Sequence, residues 1–129
     1  MNAPDFLSLA DVLGIHVELV DTYGGSQGVR DVGLLKSALA VPQSGIGDQY
    51  FHSDLFEMAA AYLFHIAKNH PFVDGNKRTG AIAAVQFLWL NGVSLAAPAR
   101  SFEALILAVA EGRADKVEVA AFFRRHAKS

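Results

Sequence analysis

Apolar residues in this chain recur at spacings of three and four rather than two, and that periodicity restricts the fold more than any other feature. Ser8 is a helix-capping residue, and after it Leu9, Val12, Leu13, His16, Leu19, Val20 and Tyr23 fall on one helical face. The pair Gly24-Gly25 stops that helix. A second helix is expected from Asp31, burying Leu34, Leu35, Ala38 and Leu39 before Pro42 ends it. Ser53 or Asp54 caps a third, whose inner face carries Leu55, Ala59, Tyr62, Leu63 and Ile66, with Asn69 near its end. The stretch from about Asn76 to Asn91 is rich in Ala and apolar on most sides, which predicts a central buried helix stopped by Gly92. Phe102 to Glu111, closed by Gly112, makes a fifth. The capping box Asp115-Lys116-Val117-Glu118 opens a sixth, which ends in Arg124, Arg125 and Lys128.

Strand signals are weak throughout, and no internal repeat, linker or low-complexity tract is visible. The expectation is an all-α fold, a compact bundle of six or more helices. A length of 129 residues suits one hydrophobic core, so a single domain over residues 1–129 is expected. Between Gln43 and His52 the chain carries Gly45, Gly47 and Asp48, then Tyr50-Phe51, which predicts a flap, either a loop or a small hairpin. Two readings of Tyr50 and Phe51 stay open: they dock a target segment, or they tuck into the core.

The charge balance, 11 Lys plus Arg against 13 Asp plus Glu, leaves no footprint for direct nucleic-acid binding. Without cysteine there are no disulfides and no thiolate metal sites. Met1 to Leu7 shows no basic region followed by an apolar run, and the apolar stretches stop short of bilayer-spanning length. A cytoplasmic protein with no membrane partner is therefore expected.

Against this apolar background, His70-Pro71-Phe72-Val73-Asp74-Gly75-Asn76-Lys77-Arg78 places polar side chains between two of the most apolar helices. Such a conflict between local composition and surroundings marks a functional segment. Pro71 disfavours helical geometry at His70, so the imidazole is expected to leave the helix end and project into the crevice rather than lie on a helix face. Asp74-Gly75 is a turn dipeptide, and Asn76 is a preferred N-cap, which puts Lys77 and Arg78 in the first turn of the next helix. Cations beside the positive end of a helix dipole cost about 0.3–1 kcal/mol each unless an anion joins them. Free amides, dipole and two cations together make a phosphate site. Asp74 supplies the hard oxygen that Mg²⁺ prefers, and His70 is a base whose ordinary pKa of about 6.5 suits neutral pH. Phosphoryl transfer needs little more than these parts.

The run from His70 to Thr79, His-Pro-Phe-Val-Asp-Gly-Asn-Lys-Arg-Thr, resembles the death-on-curing (Doc) version of the Fic motif. Similarity extends to the Gly24-Gly25-Ser26 turn, the Arg30-Asp31 to Ala40 helix with Pro42-Gln43, and the Asn91-Gly92 helix end. The resemblance implies a helical Fic/Doc fold in which His70 is the general base, Asp74 holds Mg²⁺, and Gly75, Asn76, Lys77 and Arg78 bind the anion. AMP-transferring Fic relatives have Gly where this chain has Lys77 and a second Arg where it has Ala81. Those departures imply transfer of the γ-phosphoryl group of ATP to a protein hydroxyl, with translation elongation factor Tu as the target known for that branch. The family's self-inhibiting Ser/Thr-x-x-x-Glu-Gly/Asn is not matched at Ser53 to Glu57, because Met58 follows. Control is then expected in trans, from an antitoxin with a helical C-terminal tail. AMP transfer, a ribonuclease toxin and a silent binding module are the competing readings. His16, His52, His65 and His126 are read as structural, and the absence of a Glu between His65 and His70 argues against a zinc helix.

Overall fold

A computed structural model describes residues 3–128. It is an all-α fold of six α-helices with two small strand pairs. Helix α1 spans Leu9–Tyr23 and α2 spans Val32–Ala40, continued by a 3₁₀ turn at Val41–Gln43. Strands β1 (Gly45–Ile46) and β2 (Gln49–Tyr50) form the flap, an antiparallel hairpin pairing Gly45 with Tyr50 and Ile46 with Gln49. Helix α3 (Leu55–Asn69) and α4 (Asn76–Leu90) follow, then β3 (Ser94–Leu95), α5 (Ala99–Ala110), α6 (Lys116–His126) and β4 (Ala127–Lys128). None of the described helices is long and apolar enough to cross a membrane.

The helix starts obey their capping residues. Ser8 and Asp11 form a reciprocal capping box on α1, Asp31 caps α2, Asp54 caps α3, and Asp115 with Glu118 boxes α6. Of the two residues expected at the α3 cap, Ser53 is engaged elsewhere, its N–H and hydroxyl both donating to the Glu57 carboxylate. Helix α5 begins earlier than its apolar pattern suggested, because Pro98, fixed at φ −60°, directs the chain into it. The pairing of β3 with β4 joins the segment after α4 to the end of α6. With two residues a side it is too short to show an alternating pattern.

The most enclosed helix is α3 rather than α4. Residues 58–63 of α3 are all buried, and this helix packs against α2, α4, α5 and α6. Helix α4 lies against it through small residues. At Gly80 a Cβ would stand 3.0 Å from the Leu63 carbonyl oxygen, too close for any side chain without a shift. On its other side α4 exposes Ile82, Trp89 and Leu90. The apolar surround read from the sequence is real, but part of it faces an open groove instead of a neighbouring helix.

Aromatic rings link the flap to this core. Phe6 stacks on Phe87 at 5.7 Å and meets the Tyr50 ring edge-on at 5.6 Å. Tyr62 lies 5.1 Å from Phe87 and accepts a hydrogen bond from the Leu7 N–H. Burial pushes the Tyr62 hydroxyl up to about 12, so it stays protonated. Tyr50 is thus anchored on Phe6, while Phe51 stands largely exposed.

Candidate functional site

The segment joining α3 to α4 is shaped by residues of three other elements. His70 caps the C-terminus of α3 in the left-handed region, at φ 50° and ψ 54°, and among the described residues it is the non-glycine residue with positive φ. A side chain there costs about 1–2 kcal/mol, so the surroundings must hold it. Arg30 does much of this: its Nε donates to the His70 carbonyl oxygen at 2.7 Å and its Nη2 to that of Asn69 at 3.0 Å. The Arg30 and Asp31 N–H groups both donate to the Pro71 carbonyl, and Val73 N–H donates to Gly28. A bridge between Val29 and Phe72 completes the seam. His70 therefore leaves the helix as Pro71 required, through a left-handed residue, and its side chain is exposed.

Asn76 has a different role from the cap expected of it. The N-cap of α4 is Gly75, at φ 76°, a conformation suited to glycine, and no side chain caps that helix. Asn76 is the first helical residue, and its buried side chain reaches back four residues, accepting from the Phe72 N–H at 2.9 Å and donating to the Phe72 carbonyl at 3.0 Å. The amide closes the loop into a ring. Because both polar ends of the side chain are engaged, its backbone N–H is what remains to meet an anion.

Asp74 is exposed and held at both carboxylate oxygens. Oδ1 accepts from the Gly75 N–H at 3.1 Å and Oδ2 from the Ser26 N–H at 3.3 Å. Gly25 makes that approach possible, since a Cβ there would stand 2.9 Å from Oδ2. Each oxygen keeps a free lone pair, which suits a hard cation that draws its other ligands from water or phosphate. Among the described residues no cluster of three or more His, Cys, Asp or Glu side chains could enclose a metal on its own.

Lys77 and Arg78 occupy the first turn of α4, exposed, with no acidic residue beside them in that turn. The Arg78 guanidinium lies 4.7 Å over the Tyr23 ring. Both cations line a groove of about 760 Å³ with Tyr23, Ala81, Ile82 and Glu103. A second hollow of about 630 Å³ shares Ala81, Ile82 and Phe102 with it and continues past Val85 to Trp89 and Leu95. His70 and Asp74 are not among the residues lining either hollow. The candidate residues thus fall into two adjoining groups, the loop bearing the His70 imidazole and the Asp74 carboxylate, and the helix turn bearing the cations at the head of an apolar groove.

Sequence reasoning singled out neither Arg30 nor Ser26 for a role at the loop, and it treated His16 as a structural residue. No spacing signal could have found them, because their partners lie 39 to 58 positions away.

A family model described as the Fic/DOC family matches residues 6–88 of this chain. The chain belongs to the Fic/DOC family. It is similar to the Toxin Doc of Mycolicibacterium smegmatis, 49% identical over 75 residues, a segment covering 58% of this chain and 58% of that protein. It is also similar to the Protein kinase doc of Escherichia phage P1, 34% identical over 89 residues, covering 69% of this chain and 70% of the relative. Both carry Doc names, so the likeness lies with the Doc toxin branch of the family.

Proposed function

We propose that this chain is a Doc-type toxin that transfers the γ-phosphoryl group of ATP to a hydroxyl of a target protein. The observation that carries this reading is the start of α4, capped by no side chain, where two exposed cations stand beside the helix dipole with no acidic residue in the same turn. The polyphosphate supplies the missing charge, held by the N–H groups after Gly75 and by Lys77 and Arg78. His70, exposed on the neighbouring loop, takes the proton of the target hydroxyl as its oxygen bonds to the γ-phosphorus, the bond to the β–γ bridging oxygen breaks, and ADP leaves. Asp74 would hold Mg²⁺, which when bound neutralises phosphate charge. Residues 1–129 act as one domain in this reading.

Kinase chemistry is favoured over AMP transfer by Lys77 and Ala81. Lys77 puts bulk and charge where the AMP-transferring relatives have a glycine. Ala81 is buried in the groove wall and brings no second guanidinium. The printed name of the phage relative, Protein kinase doc, supports the same choice. Translation elongation factor Tu is the proposed target, on the family resemblance.

An antitoxin is the proposed partner. Its helical, apolar C-terminal tail suits the paired hollows along α4, whose floor offers Ile82, Val85, Trp89 and Phe102. The test of the reading is incubation with cell lysate and, separately, α- and γ-labelled ATP. Incorporation of the γ label alone supports it, and incorporation of the α label overturns the kinase assignment.

A further inference from the structure

His16 lies in α1, 58 positions from the loop it touches, and is 2% exposed. Its ring stacks flat on Phe72, with centroids 3.9 Å apart and an interplanar angle of 6°. Its Nε2 stands 2.8 Å from the carbonyl oxygen of Asp74. A carbonyl has no proton to give, so Nε2 carries the hydrogen and donates it. The same peptide unit is held at its other end, where the Gly75 N–H donates to Asp74 Oδ1. Asp74 Oδ2 is in turn held by Ser26 N–H. One imidazole therefore stands at the head of a chain of bonds that fixes a peptide plane, a carboxylate and the turn into α4.

We infer that His16 is a positioning residue that locks the Asp74–Gly75 peptide with its carbonyl turned inward, so that the Asp74 carboxylate and the N–H groups opening α4 are presented together. Without the donor, only the Gly75 N–H bond to the Asp74 carboxylate resists rotation of that peptide. Rotation would swing a carbonyl oxygen toward the phosphate position and withdraw the Gly75 N–H that steadies Asp74. His16 itself is buried against the Phe72 ring, so losing its N–H costs more here than at an open surface. The consequence for nucleotide binding rests on the phosphoryl-transfer reading given above; the peptide geometry does not.

Two substitutions separate the donor from the ring. His16→Phe keeps the stack on Phe72 and loses the donor, whereas His16→Gln loses the ring and keeps an N–H at comparable reach. In ¹⁵N-labelled protein the amide resonances of Gly75 and Asn76 should move in the Phe variant and return in the Gln variant. Affinity for ATP with Mg²⁺, measured by calorimetry, should fall about tenfold in the first and recover in the second. Unchanged resonances and affinity in His16→Phe, or no recovery in His16→Gln, would overturn the inference. A wild-type protein that binds no ATP would overturn the phosphoryl-transfer reading instead, leaving the resonances to decide the role of His16. If His16→Phe does not fold, His16→Asn, whose amide is too short to reach the carbonyl, should show the same two losses, and wild-type values in it would likewise refute the positioning role.

Discussion

Two places in this molecule collect histidine and lysine, and they use them in opposite ways. At the loop, His70 and Lys77 stand exposed and apart, their surroundings arranged by Arg30, Asn76 and His16. Under α6, Lys116 Nζ lies 3.3 Å from His52 Nε2 and 3.0 Å from His65 Nε2, and 6.0 Å over the Phe64 ring. There the two Nε2 atoms share one amine. With the amine donating to both rings, each imidazole proton sits on Nδ1, and His52 Nδ1 is buried with no partner among the described residues. Residue type alone does not separate an open histidine from a packed one; what separates them is whether the surroundings leave a ring nitrogen for something else.

The sharpest way to break that contrast is to remove His70. His70→Ala should lower label transfer from γ-labelled ATP by about 10²–10⁴-fold while leaving ATP affinity near the wild-type value, because a base acts on the hydroxyl and not on the phosphates. Collapse of affinity together with transfer would show that His70 holds the nucleotide instead. Next in size, Asp74→Asn should abolish most of the extra thermal stabilisation that Mg²⁺ adds to ATP, because a carboxylate is the only hard anionic group on this loop. Equal shifts with and without the metal in the wild-type protein would remove the metal from the picture. Smaller still is Lys77→Gly, which should weaken γ-label transfer yet yield at most feeble α-label transfer, since Ala81 offers no guanidinium to clamp ATP in the arrangement that AMP transfer needs. Strong α-label incorporation in that variant would mean that residue 77 alone selects the chemistry.

How much of this was legible beforehand depends on sequence distance. The caps at Ser8 and Asp115 and the helix start at Asp31 are readable because a cap and its helix are adjacent, and the flap because Gly47 and Asp48 sit between its strands. The His-to-Arg run was readable because its residues are contiguous. Residue preference suggests a cap at Asn76 but does not show the direction in which its amide points. Apolarity points to α4 as the centre of the bundle because it shows which faces avoid water without showing which have a neighbour; Trp89 is apolar yet stands on the groove. Arg30 and His16 act across tens of residues, beyond the reach of any periodicity.

The smallest predicted effect belongs to the closed cluster, and it separates that cluster from the loop by pH. Burial first, then the Lys116 charge and His52, lower the His65 pKa from 6.5 to about 4. Burial and Lys116 also lower that of His52, with Glu57 opposing. A histidine that binds protons more weakly folded than unfolded adds stability that is complete above pH 6.5 and is lost as the pH falls through the window down to about 4. Urea midpoints measured across that window should therefore decline toward acid. Burial acts to raise the Asp54 pKa, but the Glu57 N–H and Arg124 outweigh it and lower that pKa from 3.8, so the stabilisation from Asp54 is intact across this window and is lost only as the pH falls below 3.8. Lys116→Met removes the neighbouring charge but not the burial, so the His65 ring protons should titrate at a higher pH than in the wild type, though still below 6.5. Label transfer should be untouched, because the amine serves the joint between flap, α3 and α6 and not the nucleotide. An unmoved His65 titration would mean that the amine does not act on the ring it touches. A loss of transfer would mean that the two histidine clusters communicate, and the contrast between an open site and a closed one would no longer hold.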